Sequence, residues 1–307
     1  MLKNVLLMSL GLLIGHDSLS GTPRSQQLKV LTWNVFLRPR AILWGDHQAA
    51  RAQEMVKLLQ AEDYDVVVLQ EAFDQRSIRI LTEGLRVDYP YMLLPQKRNI
   101  FHINNGLMVL SRLPIEDTAT IFFDRCAGND CMADKGAVLI QVSKGEHTYQ
   151  VIGTHAQAEE GKHYADIRSH QYAQIRELLI EQHAEKGMTQ IVVGDLNTKQ
   201  SQHLDYQMML HSLGAENGEV LTATGEELPC DGIYTWGCSN NGLVPIKHKG
   251  NTSLLDYLLC RPNGTALQIE RVLHIFKRKW RKDCSDLSDH YALSMTVGPE
   301  WQTMIAH

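Results

Sequence analysis

A chain of 307 residues with 44% hydrophobic and 21% charged residues can bury one large core or two small ones, and its balance is that of an ordinary soluble enzyme. The formal net charge of −5 argues against a protein that coats nucleic acid, because phosphate binding on that scale shows as a basic excess. No CxxC pair and no HExxH helix is present, so a zinc site is not expected.

At the N-terminus, Lys3 precedes an apolar run over residues 5–14, and Ser18-Leu19-Ser20 offers small residues for cleavage. Residues 1–20 therefore read as a secretory leader, too short to span a bilayer. Residues 29–32 form an extended run leading into Trp33 and Asn34. Asp46 reads as a helix N-cap, with Ala52, Met55, Val56 and Leu59 on one face of the helix that follows. Residues 66–69 are continuously apolar, as in a strand covered on both faces, and end at Gln70 and Glu71. A strand over 107–110 exits toward Pro114. Residues 148–153 alternate and run into His155. The next helix has Ile167, Gln171, Ile175, Leu178 and Leu179 on its inner stripe, with Gly187 beyond its end. Residues 191–193 lead into Gly194-Asp195-Leu196-Asn197, and segments 253–259 and 288–297 carry the last strands. Strands with two clear helices predict a layered α/β architecture, helices outside and sheets between. One domain over 28–298 and a tail over 299–307 are expected, with a single cleft at one edge of the sheets.

The chain has six cysteines. Cys126 and Cys131 bracket a short polar loop, and Cys230 and Cys238 bracket another. In an exported chain these pairs suit local disulfides, the alternative being free, partly buried thiols.

Taken singly, the polar strand ends carry little. A Glu after an apolar strand is usually solvated, GDLN suits a turn, and SDH suits a cap. The ordered set WN, LQE, THAQ, GDLN and SDH, each closing or opening a strand, is more specific. With the segments LTWNVF (31–36), VVVLQEAFD (66–74), NNGLMVLSRLPI (104–115), ADKGAVLI (133–140), VIGTHAQAE (151–159), VVGDLN (192–197), LLDYLL (254–259) and SDHYAL (288–293), the sequence resembles the endonuclease/exonuclease/phosphatase superfamily. Within it, EAFD, DKG and GTHAQAE are similar to the bacterial-type neutral sphingomyelinases. The resemblance implies a DNase I-like four-layer α/β sandwich, with two mixed or antiparallel sheets packed together and helices outside. It also implies Mg²⁺-dependent hydrolysis of sphingomyelin to ceramide and phosphocholine.

The chemistry calls for these residue types. A phosphodiester is anionic, so it repels attacking water and has a poor alkoxide leaving group; a hard cation held by oxygen answers both problems. Glu71 is the metal carboxylate, with the Asn34 amide oxygen beside it as a neutral donor, directly or through water. Mg²⁺ suits such a sparse donor set, with Mn²⁺ or Co²⁺ as alternatives. His290 is the candidate general base, since imidazole titrates near neutrality. Asp289 or another carboxylate orients it, although neighbours on a strand face opposite ways. The resemblance supports Asp289 as a site residue near metal. It implies that Asp195 and Asn197 position the nucleophile and bind phosphoryl oxygens, and that His155 is a second imidazole. Asp256, inside an apolar strand, needs a partner: either it holds His155 or His290, or it makes a structural hydrogen bond. Lys135 meets the phosphate or gates the site, or else pairs with Asp134. The remaining histidines, His47, His102, His248 and His274 among them, read as surface or packing residues.

Substrate choice lies outside this core. Residues 271–286 place Phe276 and Trp280 among Lys277, Arg278, Lys279, Arg281 and Lys282, which suits contact with a membrane surface or a solvated hairpin. Bacterial sphingomyelinases carry a longer aromatic hairpin there. Residues 236–253 read as a flexible loop near the cleft mouth. Trp33, Phe36, Phe73 and Tyr257 are candidates to hold a quaternary ammonium by cation–π contact. A nuclease would show a broad basic face, and a phosphoinositide phosphatase more basic residues than Lys199 after GDLN. A non-catalytic lipid-binding module would lack core residues that are all present here. The expectation is a secreted monomer acting on membrane sphingolipid, with no stable nucleic-acid partner.

Overall fold

Strand β1 (Leu28–Leu37) shows how the layers arise. Successive side chains point to opposite faces: Leu28 and Val30 join one apolar cluster, and Leu31, Trp33, Val35 and Leu37 join another. Its parallel neighbour β2 (Val66–Ala72) divides likewise, with Val66 and Val68 on one side and Val67 and Leu69 on the other. The apolar run is therefore a strand covered on both faces. These features come from a computed structural model, which describes residues 26–40, 46–184, 188–223, 228, 230–261 and 264–300.

Seven strands make the first sheet, in the order β3 (Tyr91–Leu93), β4 (Met108–Ser111), β2, β1, β14 (Ala292–Pro299), β11 (Leu267–His274) and β9 (Leu221–Thr222). Five make the second, ordered β10 (Asp256–Arg261), β8 (Thr189–Asp195), β7 (His147–His155), β6 (Gly136–Lys144) and β5 (Asp117–Phe122). Both sheets are mixed, because β1 runs parallel to β2 and β7 parallel to β8 among antiparallel neighbours. Their inner faces meet closely. A Cβ on Gly153 of β7 would stand 2.6 Å from Val68 Cγ1 of β2, so the glycine sets the sheet spacing there.

Helices α1 (Gln48–Ala61) and α2 (Gln75–Leu85) cover the first sheet, burying Met55, Leu59, Leu81 and Leu85 against Trp33 and Leu69. Helices α3 (Lys162–Ile175) and α4 (His203–Leu213) cover the second, through Tyr172, Ile175, Met209 and Leu213. This is the four-layer sandwich implied by the resemblance, with four α-helices among the described residues rather than the two read from periodicity.

Local differences have local causes. His47, in a left-handed conformation, occupies the α1 N-cap, while Asp46 pairs with Arg38 at 2.9 Å. After Ile175 the helix widens into a π-turn over Arg176–Ile180; this shifts its phase and leaves Leu178 exposed while Leu179 stays buried. Gly187 and the leader at 1–20 lie outside the described residues, as does all of the tail beyond Glu300. Cys126 is bridged to Cys131 and Cys230 to Cys238, with Cα separations of 5.2 and 5.9 Å; Cys260 and Cys284 are free thiols. No helix of the described residues is long and apolar enough to cross a membrane.

Candidate active site

The polar strand ends converge because the sheet registers bring them level. His155 pairs with Asp195 across β7 and β8, and Asp195 with Asp256 across β8 and β10. Asn34 and Glu71 come from adjacent β1 and β2, and His290 precedes β14. A cleft of about 480 Å³ is lined by Glu71, His155, Asp195, Asn197, Asp289 and His290, with Asn34 fully buried behind them.

The backbone bends sharply to present these groups. Phe36, Glu71 and Asn197 have φ of 52, 56 and 50°, left-handed values that are strained for such residues and cluster here. Pairing of β1 with β2 shifts register between Asn34 and Leu37, which turns the chain ends outward. Gly194 has φ 140°, and a Cβ there would collide with the carbonyl oxygen of Thr154; GDLN needs its glycine.

One half of the cleft is acidic. Withdrawal from water and the facing Asp289 carboxylate push the Glu71 carboxyl up to about 7. Burial raises Asp289 as well. Two carboxylates that each resist ionisation beside the other form an oxygen donor set suited to a hard divalent cation. Asn34 ties this half to the rest, its Nδ2 donating to Glu71 Oε1 and to Asp195 Oδ2 at 3.1 Å each. Its Oδ1 accepts from the Phe36 amide, so the nitrogen, and not the oxygen expected as a metal donor, faces the carboxylates.

The other half is built on imidazoles. His290 Nδ1 lies 2.8 Å from Asp256 Oδ2, and its Nε2 lies 3.8 Å from Asp195 Oδ2. Burial lowers the His290 pKa, but Asp256, Asp195 and Asp289 outweigh it and raise the group to about 10. Ligand atoms of Asp195, Asp256 and His290 all lie within 4.8 Å of one another, close enough for a metal. The hydrogen-bond distance from ring to Asp256, however, is that of an imidazole held by an orienting carboxylate. Asp289 does not make that contact; its Oδ2 accepts from Trp236 Nε1 at 3.3 Å on the Glu71 side.

His155 Nε2 accepts from Lys135 Nζ at 3.2 Å and stands 3.6 Å from Asp195. Burial and the Lys135 charge lower its pKa to about 3, which keeps the ring neutral, and its Nδ1 has no hydrogen-bond partner. Lys135 also donates to Asp130 at 2.7 Å and to the Ala156 carbonyl at 2.9 Å. Its carboxylate partner is thus Asp130 and not Asp134, and it lines the cleft. Asn197 donates to the same Ala156 carbonyl, and its own amide caps Asp195 Oδ1.

Trp236 and His248 were not among the sequence candidates, yet both line the cleft with their rings 5.3 Å apart. Bridges from Trp236 to Ser253 and to His290 place that loop at the mouth. Of the aromatic candidates for a quaternary ammonium, Trp33 and Tyr257 are 1% exposed in the core, and Phe36 lies beneath the Arg38 guanidinium at 3.9 Å. Phe36 and Phe73 both border open space beside Glu71. Strands β12 (Lys277–Arg281) and β13 (Cys284–Asp286) form a hairpin whose Phe276 and Trp280 rings pack against the α1 side of the core. Lys277, Lys279, Arg281 and Lys282 face solvent.

An acidic half and an imidazole half joined by a buried amide, at the strand ends of a two-sheet sandwich, define a phosphoesterase-type cleft. The chain belongs to the Endonuclease/Exonuclease/phosphatase family, whose model matches residues 31–290. Within that family it is similar to Sphingomyelinase C of Leptospira interrogans, 28% identical over 257 residues that cover 77% of this chain and 44% of the relative. It is also similar to Sphingomyelinase C of Bacillus cereus, 26% identical over 341 aligned positions that cover 97% of this chain and 98% of the relative. The chain spans about half the length of the Leptospira relatives it matches. A crystal structure of Sphingomyelinase C from Streptomyces griseocarneus superposes with TM-score 0.76 at 26% identity, covering 90% of this chain and 99% of the other. A beta toxin from Staphylococcus aureus with bound magnesium ions gives TM-score 0.76 at 23% identity, covering 88% and 99%. The fold is DNase I-like.

Proposed function

We propose that the chain is a Mg²⁺-dependent phosphodiesterase that hydrolyses sphingomyelin to ceramide and phosphocholine. The observation that carries this reading is the unbroken polar path Asp256–His290–Asp195–Asn34–Glu71 in one cleft. Glu71 and Asp289, with Asn34 behind them, would hold the divalent cation, which when bound offsets negative charge on the phosphoryl and leaving oxygens. The surrounding carboxylates hold His290 protonated; with their charge offset by a bound cation the ring would be neutral and would take the proton of the attacking water, while Asp256 fixes its tautomer through Nδ1. The oxygen of that water bonds to phosphorus, and the phosphorus–oxygen bond to the ceramide portion breaks. Asp195, between both imidazoles, and Asn197 orient water and phosphoryl oxygens. Neutral His155, in contact with Lys135 and 3.6 Å from Asp195, stands in the same cleft as a second imidazole. The alkoxide takes up a proton from solvent and leaves as ceramide, and His290 returns its proton to water.

The relatives named Sphingomyelinase C and the magnesium in the staphylococcal structure support this substrate and ion. An exported chain belongs to the same reading, supported by the two local disulfides. The test is phosphocholine release from sphingomyelin dispersions with Mg²⁺, run beside plasmid nicking and phosphate release from phosphoinositides. Phosphocholine alone is expected; plasmid nicking without it would overturn the substrate.

A further inference from the structure

Two loops flank the cleft, and each ends in an apolar side chain turned to solvent. On one side, Ile100 and Phe101 are 78% and 89% exposed; on the other, Ile246 is 89% exposed. Neither tip is a loose end. The Asp134 carboxylate accepts from the backbone N–H groups of Arg98 and Asn99 at 2.7 and 2.8 Å, and pairs with the His102 ring at 2.7 Å. That loop is further tied to the cleft wall by a bridge between Ile103 and Ala133. With its backbone anchored inward at Arg98 and Asn99, the loop presents its apolar tip outward beside the exposed Lys97 and Arg98 side chains. The second tip repeats the plan. Ile246 opens a short 3-10 turn, Ile246–His248, whose His248 ring packs on Trp236 inside the cleft.

Residues next to both tips line adjoining cavities that share Glu71, Lys135 and His155: Ile103 and Met132 line one, and Pro245 and His248 the other. Each tip carries cations beside it, exposed Lys97 and Arg98 on one and exposed Lys247 and Lys249 on the other, in a chain of net charge −5. Single apolar tips ringed by lysine and arginine match a bilayer, with headgroup phosphates above and hydrocarbon beneath. They do not form the contiguous apolar patch of a protein interface. We propose that the loops carrying Ile100-Phe101 and Ile246 are the membrane-docking surface, inserting on either side of the cleft so that a lipid phosphodiester enters between them. This rests on the lipid-phosphodiesterase reading above. It assigns the apolar insertion to these loops and leaves the β12–β13 hairpin, whose aromatic rings face inward, a basic contact only.

The test uses the full chain and the substitutions F101S and I246S, singly and together, since neither residue touches the catalytic groups. Binding is read by co-sedimentation with vesicles of phosphatidylcholine and sphingomyelin, with and without phosphatidylserine. Turnover is read on those vesicles and on a monomeric short-chain sphingomyelin. The double variant is expected to bind vesicles at least about tenfold more weakly and to hydrolyse them correspondingly more slowly, with turnover of the monomeric substrate unchanged. In F101W, the indole emission should shift blue on vesicles. Unchanged binding in the double variant with no blue shift would overturn the proposal, and rescue of the lost binding by a protein rather than by lipid would overturn its choice of partner. Vesicle binding without release of phosphocholine would refute the substrate assignment and leave the docking surface standing.

Discussion

Asp256 offers the most informative single perturbation. Its side chain is fully buried, its Oδ2 holds His290 Nδ1 at 2.8 Å, and its Oδ1 has no hydrogen-bond partner. That unmatched oxygen makes Asp256→Asn a clean change: the amide oxygen can keep the imidazole while the NH₂ takes the place of an atom that bonds nothing. What is lost is charge. At about 4 Å and an effective dielectric of 20, a unit charge contributes about 4 kcal/mol to an imidazolium. Because Asp195 remains near Nε2, the part lost from the transition state is smaller, and kcat is expected to fall about 10²–10³-fold with little change in KM. Asp256→Ala removes orientation as well and should fall further, with a stability loss of about 1–3 kcal/mol. Steady-state kinetics and urea unfolding on both variants give the answer. Rates within threefold of wild type for both would refute the assignment of Asp256 and His290 as orienter and base.

Other expectations follow from the same geometry. Glu71→Gln should abolish activity or demand far more Mg²⁺; because it removes a half-buried carboxylate that opposes the buried Asp289, it should also raise the melting temperature in EDTA by roughly 2–4 °C. Retained activity at ordinary Mg²⁺ would remove Glu71 from the metal site. Burial lowers His274 to about 4, so its contribution is complete above its unfolded value near 6.5 and is lost as pH falls from there toward 4. It amounts to at most about 3 kcal/mol. Urea unfolding at pH 8 and pH 5 should show the drop in wild type and a smaller one in His274→Gln. Replacing Cys126 and Cys131 by serine opens a short loop and should cost roughly 2 kcal/mol of stability. Because that loop carries Asp130, the partner of Lys135, activity should fall more than the fraction unfolded accounts for.

Much of the site was legible because its residues terminate strands whose apolar runs are conspicuous. Glu71 after 66–69 and Asp195 after 191–193 are visible from hydropathy alone, and sheet register then brings them level. Trp236 and His248 left no such trace. They sit in a loop without periodicity and reach the cleft through pairings with Ser253 and His290, distant in sequence. The alternative reading of Lys135, a pairing with Asp134, rested on adjacency alone: Asp134 turns toward the Arg98–His102 loop, and Asp130 folds back to Lys135 through the disulfide-closed turn. The inward aromatic rings of the β12–β13 hairpin were hidden for a related reason. A basic run with interspersed aromatics reads alike whether its rings meet solvent or the α1 face; only packing on Trp33 decides it. Likewise, the outward tips at Ile100-Phe101 and Ile246 are runs of one or two apolar residues too short to show a periodicity, and a sequence gives no exposure.

The central claim is that water, deprotonated by His290, attacks phosphorus and expels ceramide. Turnover of sphingomyelin with Mg²⁺ in ¹⁸O-enriched water, followed by mass spectrometry of both products, tests it most directly. One heavy oxygen in phosphocholine and none in ceramide is the predicted result; label in ceramide, or no turnover at all, would contradict the account.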